Sequence, residues 1–204
     1  RQSSVCSLLR RMRSRLSVQL QLILFMEKAI TDTKDTSSLR YSVRMKDGSG
    51  FVFVNNYQRL EKLSEHRGVK FQINGEIFPE MGINVSDGDS FILPFNIMLG
   101  GVRLKYSTCQ LICRCGGVYF FEKTGTNPPV FAFDDEIIEG SDVTKNGVRF
   151  IALSHEEARC LYKINGHVYI TEGAAMREGK VYRTGSAELS YSEWVNGGFV
   201  KKRI

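Results

Sequence analysis

The chain has 204 residues, of which 42% are hydrophobic and 25% are charged, the composition of an ordinary globular protein. The formal net charge of +6 would suit a nucleic-acid partner if it were spread over the folded body. Residues 1–30 carry six of the Lys and Arg residues and one acid, which leaves 22 cations and 21 acids for the other 174 residues. Because the body of the chain is nearly neutral, we expect no nucleic-acid partner.

The first thirty residues differ from the rest and are predicted to form a basic amphipathic helix, within a separate segment of residues 1–35. The apolar residues that share one helical face are Val5, Leu8, Leu9, Met12, Leu16, Leu20, Ile23 and Leu24. Three interpretations remain open: a weak signal peptide, a helix on a membrane surface, or a helix that packs on the body or lacks its partner in a truncated reading frame. The apolar run is too short to span a bilayer. The third interpretation is favoured, so no membrane partner is expected. The compartment stays open, with the cytoplasm slightly favoured over secretion.

From residue 39 onward the hydrophobic pattern has the period of a β-strand. Leu39, Tyr41 and Val43 alternate with polar residues, and an Asp-Gly pair at residues 47–48 then supplies the positive φ that a tight hairpin needs. Similar strands and turns follow about every eight to twelve residues, as in sandwiches and open barrels. This pattern predicts a first β unit over residues 36–126.

An Asn-Pro-Pro break at residues 127–129 marks a boundary, and a second β unit is predicted over residues 127–204. One short helix is expected at residues 156–162, because Ser154 and Glu157 have the spacing of a capping box. The expected fold class is therefore all-β and β-sandwich-like, with two small antiparallel units, this short helix and the N-terminal basic helix.

Three of the five cysteines, Cys109, Cys113 and Cys115, have the parity of one strand face. They suggest either a metal site or a row of small apolar residues facing a core. Closed zinc sites use two paired ligand clusters, and the sequence contains no CxxC pair. The core interpretation is favoured, so neither a metal nor a cofactor is expected.

The sequence points to no catalytic residue. The acids at residues 134–136 lie in a predicted turn, where a charge run is usually solvated, and Glu157 is explained by capping. The histidines at positions 66, 155 and 167 are not accompanied by a nucleophilic-serine elbow. We expect no catalysis from this chain alone. Its residue pattern does not indicate whether the chain is part of a larger enzyme.

Asn55, Asn56, Tyr57 and Arg59 are the candidate carbohydrate-binding residues. They come directly after an apolar strand. Their side chains supply amides, an aromatic ring and a guanidinium, which are groups that can recognise a sugar. The competing interpretation is turn chemistry, since Asn tolerates positive φ and hydrogen-bonds nearby backbone. Turn chemistry is favoured for these positions.

Six blocks of sequence occur in one order: SLRYSVR at 38–44, GFVFVNNYQR at 50–59, VKFQI at 69–73, ILPFN at 92–96, LKYSTCQ at 104–110 and IALSHEEA at 151–158. The series resembles the β-rich region that follows the catalytic barrel in β-galactosidases of glycoside hydrolase family 35. The NNYQR and LPFN blocks are the specific ones. The resemblance covers roughly residues 36–191, whereas residues 1–30 depart from the family pattern.

The resemblance implies a non-catalytic accessory β domain that braces the barrel of a β-galactosidase, an enzyme that hydrolyses terminal β-galactosides. In that family two glutamates on the barrel perform the hydrolysis, and a barrel needs about 250 residues, so no catalytic residue is carried over. The implied partners are that barrel, in the same or a separate chain, and galactosides. The alternatives are a stand-alone carbohydrate-binding module and a membrane-surface or scaffold protein acting through the basic helix.

Overall fold

A computed structural model describes residues 34–171, 174–177, 180–183 and 190–203. The predicted basic helix of residues 1–30 lies outside these ranges. The described residues are mostly in strands, which confirms the all-β, sandwich-like fold class. In chain order the elements are β1 Arg40–Lys46, β2 Ser49–Asn55, β3 His66–Ile73, β4 Glu76–Val85, β5 Ser90–Leu99, β6 Val102–Ser107, β7 Cys109–Cys115, β8 Val118–Lys123, β9 Val130–Phe133, β10 Ile137–Glu139, β11 Asp142–Lys145, β12 Val148–Leu153, α1 His155–Arg159, β13 Leu161–Ile164, β14 His167–Ile170, β15 Ala174–Arg177, β16 Lys180–Arg183, β17 Ser190–Val195 and β18 Gly198–Arg203.

Tight two-residue turns connect many neighbouring strands. In five of them an Asp or Asn with positive φ precedes a Gly with positive φ, the backbone of a type I′ hairpin turn. These turns are Asp47-Gly48, Asn74-Gly75, Asn146-Gly147, Asn165-Gly166 and Asn196-Gly197. Asp and Asn adopt the left-handed region more readily than other side chains do, so each turn fixes the register of its hairpin locally.

Three larger sheets are present among the described residues. The first sheet has the order β1-β2-β5-β6-β9-β10, the second β11-β12-β8-β7 and the third β13-β14-β17-β18, while β3-β4 and β15-β16 are separate hairpins. Among the described strands, pairing is antiparallel except between β8 and β12, which are parallel. The chain between them, which includes β9 to β11, supplies the crossover that a parallel pair requires.

Within the described part of the chain, three buried clusters hold these layers together. The first lies between the β3–β4 hairpin and the first sheet, and the second lies between the first and second sheets. The third packs the other face of the second sheet against α1 and the third sheet. Strand β8 contributes to both the second and the third cluster, because Tyr119 and Phe121 pack in the second and Phe120 packs in the third. The first and second sheets combine strands from both sides of residue 126, and the division into units at that residue stays a prediction.

The predicted capping box is confirmed, but the helix is shorter than expected. The Ser154 hydroxyl accepts from the backbone N–H of Glu157, and the Glu157 carboxylate accepts from the backbone N–H of Ser154. Helix α1 ends at Arg159 rather than near residue 162. The physical reason is strand pairing, since Leu161 lies opposite Ile170 at the start of β13.

Candidate functional site

The four predicted carbohydrate-binding residues lie together at the end of β2 and the start of the loop of residues 56–65, which we call the contact loop. Their environments differ. Tyr57 and Arg59 are exposed, whereas Asn56 is 1% exposed. Asn55 is exposed, and its side-chain oxygen accepts a hydrogen bond from Ser90 at 2.7 Å. The structure therefore brings the four residues to one place but turns only part of the set towards solvent.

Asn56 anchors the contact loop. Its side-chain amide donates to the carbonyl oxygens of Ser64 and Ser86, each at 2.9 Å. Its backbone N–H donates to the Asp89 carbonyl at 2.7 Å, and its own carbonyl accepts from Gly88 at 2.9 Å. Because both amide hydrogens are used inside the chain, the Asn56 side chain is placed to fix backbone and not to donate to a ligand.

The far end of the contact loop is also fixed. Leu63 is buried, and its backbone N–H donates to the Asp87 carboxylate at 3.1 Å. The backbone N–H of Ser64 donates to the Thr36 carbonyl at 2.9 Å. A loop without regular secondary structure is thus held at both of its ends, which limits the number of conformations open to its tip.

The tip of the contact loop presents residues suited to a protein contact. Leu60 is 93% exposed, and Tyr57 is 55% exposed. Leu60 also has a φ of 68°, in the left-handed region that a leucine rarely adopts. An exposed leucine in an unfavourable backbone conformation gains little from packing within the chain, and such outliers concentrate at functional positions.

A second feature, which we call the polar pocket, lies at the other end of the first sheet. It has a volume of about 360 Å³ and lies between the β1–β2 turn, the β3–β4 turn and the β5–β6 pair. Its polar lining residues are Asp47, Ser49, Asn74, Glu76, Asn96 and Arg103. Met98, 62% exposed, adds an apolar side chain to the wall.

Asn96 organises the polar pocket. Its amide nitrogen donates to the Glu76 carboxylate at 3.2 Å, and its oxygen accepts from the Arg103 guanidinium at 3.3 Å. Arg103 in turn lies 3.7 Å from the Asp134 carboxylate. Asn96 has a φ of 49° inside β5, at the point where the strand passes from the first buried cluster to the second. The residue with positive φ at the junction of the two clusters therefore also places its side-chain amide between Glu76 and Arg103.

The polar pocket was not predicted from the amino-acid sequence. The sequence predicts the Asp47-Gly48 turn that borders the pocket, but nothing local places this turn beside the Asn74-Gly75 turn and Asn96. The one local signal for the pocket was Asn96 itself, because an Asn within an apolar strand segment is a residue type that tolerates positive φ. The meeting of Glu76, Asn96 and Arg103 depends on sheet pairing between distant parts of the chain.

Two histidines are paired with carboxylates, which the sequence did not predict. His155 Nδ1 lies 2.6 Å from a Glu122 oxygen, and the other oxygen of Glu122 accepts from Gln110 at 3.1 Å. His167 Nδ1 lies 3.2 Å from a Glu193 oxygen.

The Glu193 carboxylate contacts two other strands of the third sheet. A hydrogen bond from Lys202 holds the pKa of Glu193 below its ordinary value, and the pKa of Lys202 is raised by the same contact. His167, Glu193 and Lys202 come from β14, β17 and β18. Their contacts therefore tie three adjacent strands together. The Ser154 hydroxyl, which is next to His155 in the chain, accepts a hydrogen bond from the backbone N–H of Glu157 in the capping box of α1.

The cysteines do not form one row, so the expectation of a shared face is wrong. A register shift between Leu111 and Cys113 in β7 changes the alternation of side chains. Cys109 consequently packs in the second buried cluster and Cys113 in the third. Burial raises the pKa of both thiols to about 11, which keeps them protonated near neutral pH. Within the described ranges, no group of three or more His, Cys, Asp and Glu side chains could hold a metal ion.

Comparisons with known proteins leave the family open. No protein-family model matches the sequence, and no curated protein matches it. Over the part of the chain that the structure describes, no helix is long and apolar enough to cross a membrane. The resemblance to family 35 stays a prediction.

Proposed function

We propose that this chain is a non-catalytic accessory β region of a β-galactosidase, and that it stabilises the catalytic barrel by docking through the contact loop. The observation that carries the proposal is the contrast between the two parts of this loop. Its base is fixed by Asn56 and Leu63, and its tip exposes Tyr57, Arg59 and Leu60. The NNYQR block that contributes to the resemblance contains the first part of the same loop.

The residues at the tip suit a protein partner. Tyr and Arg are enriched among the residues that dominate binding energy at protein interfaces. Complete burial of a leucine side chain contributes about 1.5–3 kcal/mol, and almost all of the Leu60 surface is available for it. Because the ends of the loop are already fixed, docking costs less conformational entropy than it would for a free loop.

A second candidate function is carbohydrate binding by the same region. The exposed ring of Tyr57 beside Arg59 and Asn55 favours it, since an aromatic face with nearby polar groups can hold a sugar. The two functions make different demands on the loop. Tyr57→Ala weakens both, whereas Leu60→Asn removes an apolar contact that a protein partner uses and a sugar does not need.

The first experiment compares activity with and without the chain. The purified chain alone is expected to give no turnover of a chromogenic β-galactoside, because the proposal assigns hydrolysis to the barrel. A family 35 barrel from which the β-rich region has been deleted is expected to keep its activity several-fold longer at elevated temperature when the chain is added, since binding to the native state stabilises it.

The control for this experiment is bovine serum albumin at the same mass concentration, which supplies protein without the contact loop. An unchanged half-life on adding the chain, or turnover by the chain that survives repurification, contradicts the proposal. Calorimetry with galactose and lactose tests the second candidate, which predicts saturable heat that Tyr57→Ala reduces.

A further inference from the structure

The polar pocket has the chemical make-up of a binding site, and it is separate from the contact loop. Ser49 at the pocket is the first residue of β2, and Asn55 beside the contact loop is the last. Seven residues of extended strand span roughly 20 Å, so a ligand in the pocket does not touch the loop. A function of the pocket is therefore independent of docking on a barrel.

The charges of the pocket favour an uncharged ligand over an anion. Asp47 and Glu76 supply two carboxylates, whereas Arg103 supplies one guanidinium that also faces Asp134. A phosphate or sulfate would meet a net negative surface there. A hydroxyl group suits both kinds of lining residue, because it donates to a carboxylate and accepts from an amide or a guanidinium.

The lining of the pocket offers one apolar contact for the face of a ring. Met98 offers an exposed thioether side chain as an apolar contact. At Gly48, no atom lies within 4 Å of the place where a Cβ would stand, so a ligand has room to approach the backbone. The volume of about 360 Å³ lies in the range of roughly 300–1,000 Å³ that is typical of small-molecule sites.

The polar groups of the pocket are also positioned in advance. Two type I′ turns fix the backbone at Asp47 and at Asn74, and Asn96 is held between Glu76 and Arg103. A ligand therefore meets turn backbone and an Asn96 amide that are already held in place, which lowers the entropic cost of binding. From these observations we propose that the polar pocket binds the ring of a neutral saccharide.

The test is a titration followed by two-dimensional ¹H–¹⁵N NMR, with galactose, glucose and mannose as separate probes and inorganic phosphate as the anionic comparison. At least one sugar is expected to shift the backbone amides of Gly48, Asn74 and Met98 saturably, with a Kd of about 1–10 mM. Phosphate is expected to leave these amides unshifted. Glu76→Ala and Met98→Ser are each expected to raise the Kd about tenfold or more.

The matched control is Glu139→Ala, which removes an exposed glutamate from β10 and is expected to leave the Kd unchanged. The inference is overturned if none of the sugars shifts the pocket amides, if the shifts are confined to residues 55–60, or if phosphate shifts the pocket amides as strongly as the sugars do.

Discussion

Replacing Phe150 with alanine is expected to lower the free energy of unfolding by about 3–5 kcal/mol, the usual cost of deleting a fully buried aromatic side chain. Phe150 is 0% exposed and lies in the cluster between the first and second sheets. Its ring centroid lies 5.3–6.2 Å from those of four other aromatic residues, namely Tyr119, Phe121, Phe131 and Phe133. Urea unfolding followed by Trp194 fluorescence measures the change.

Phe53→Ala is the matched control for this substitution. Phe53 lies on the half-buried face of β2, with the Arg44 guanidinium 5.3 Å from its ring centroid. Its removal is expected to cost about 1 kcal/mol, because only part of its apolar surface is shielded from water. Equal losses for the two variants would show that the cluster around Phe150 is not the main core of the fold.

Asn56→Ala is expected to cost about 2–3 kcal/mol and to loosen the contact loop. The substitution removes both hydrogen bonds from the side-chain amide and leaves the carbonyl oxygens of Ser64 and Ser86 without that donor. Native-state hydrogen exchange is expected to accelerate at the amides of Leu63 and Ser64, which lie at the far end of the loop. Denaturant unfolding gives the first quantity, and exchange followed by NMR gives the second.

The neighbouring variant Asn55→Ala provides the comparison, since Asn55 is exposed and is expected to contribute less than about 0.5 kcal/mol. Asn56→Asp keeps the size of the side chain but cannot donate two hydrogen bonds as an ionised carboxylate, so it is expected to be as destabilising as Asn56→Ala. An Asn56→Ala protein as stable as Asn55→Ala, with unchanged exchange at Leu63, would contradict the anchoring role.

The parts of the fold that sequence predicts well are those that short segments determine. The alternation of Leu39, Tyr41 and Val43 predicts a strand, and residues 40–46 form one. The Asp-Gly and Asn-Gly pairs predict turns because only their own backbone angles are involved. The capping box at Ser154 is equally local, whereas the end of α1 depends on the pairing of Leu161 with the distant Ile170.

The parts that sequence did not predict depend on contacts between distant residues. The parallel pairing of β8 and β12 requires a crossover connection, and the sequence of neither strand determines the path of that connection. The bulge near Cys113 reverses side-chain alternation, so parity alone gave the wrong face. At the candidate sites, the pattern identified the NNYQR segment, but only the fold separates the buried Asn56 from the exposed Tyr57.

Leu60 provides the sharpest test of the proposed docking between the tip of the contact loop and a catalytic barrel. Leu60→Asn is expected to raise the free energy of unfolding of the chain by up to about 1 kcal/mol, because Asn tolerates the positive φ at this position. The same variant is expected to lose affinity for the partner. Met81→Asn makes the comparable change at another apolar residue, 90% exposed on β4, and serves as the control.

The measurement is isothermal titration calorimetry of the chain against a family 35 barrel that lacks its own β-rich region. A saturable complex is expected, with a Kd that rises at least about tenfold with Leu60→Asn and stays unchanged with Met81→Asn. The absence of a complex at the highest attainable concentrations, or equal Kd values for Leu60→Asn and the unsubstituted chain, would contradict it.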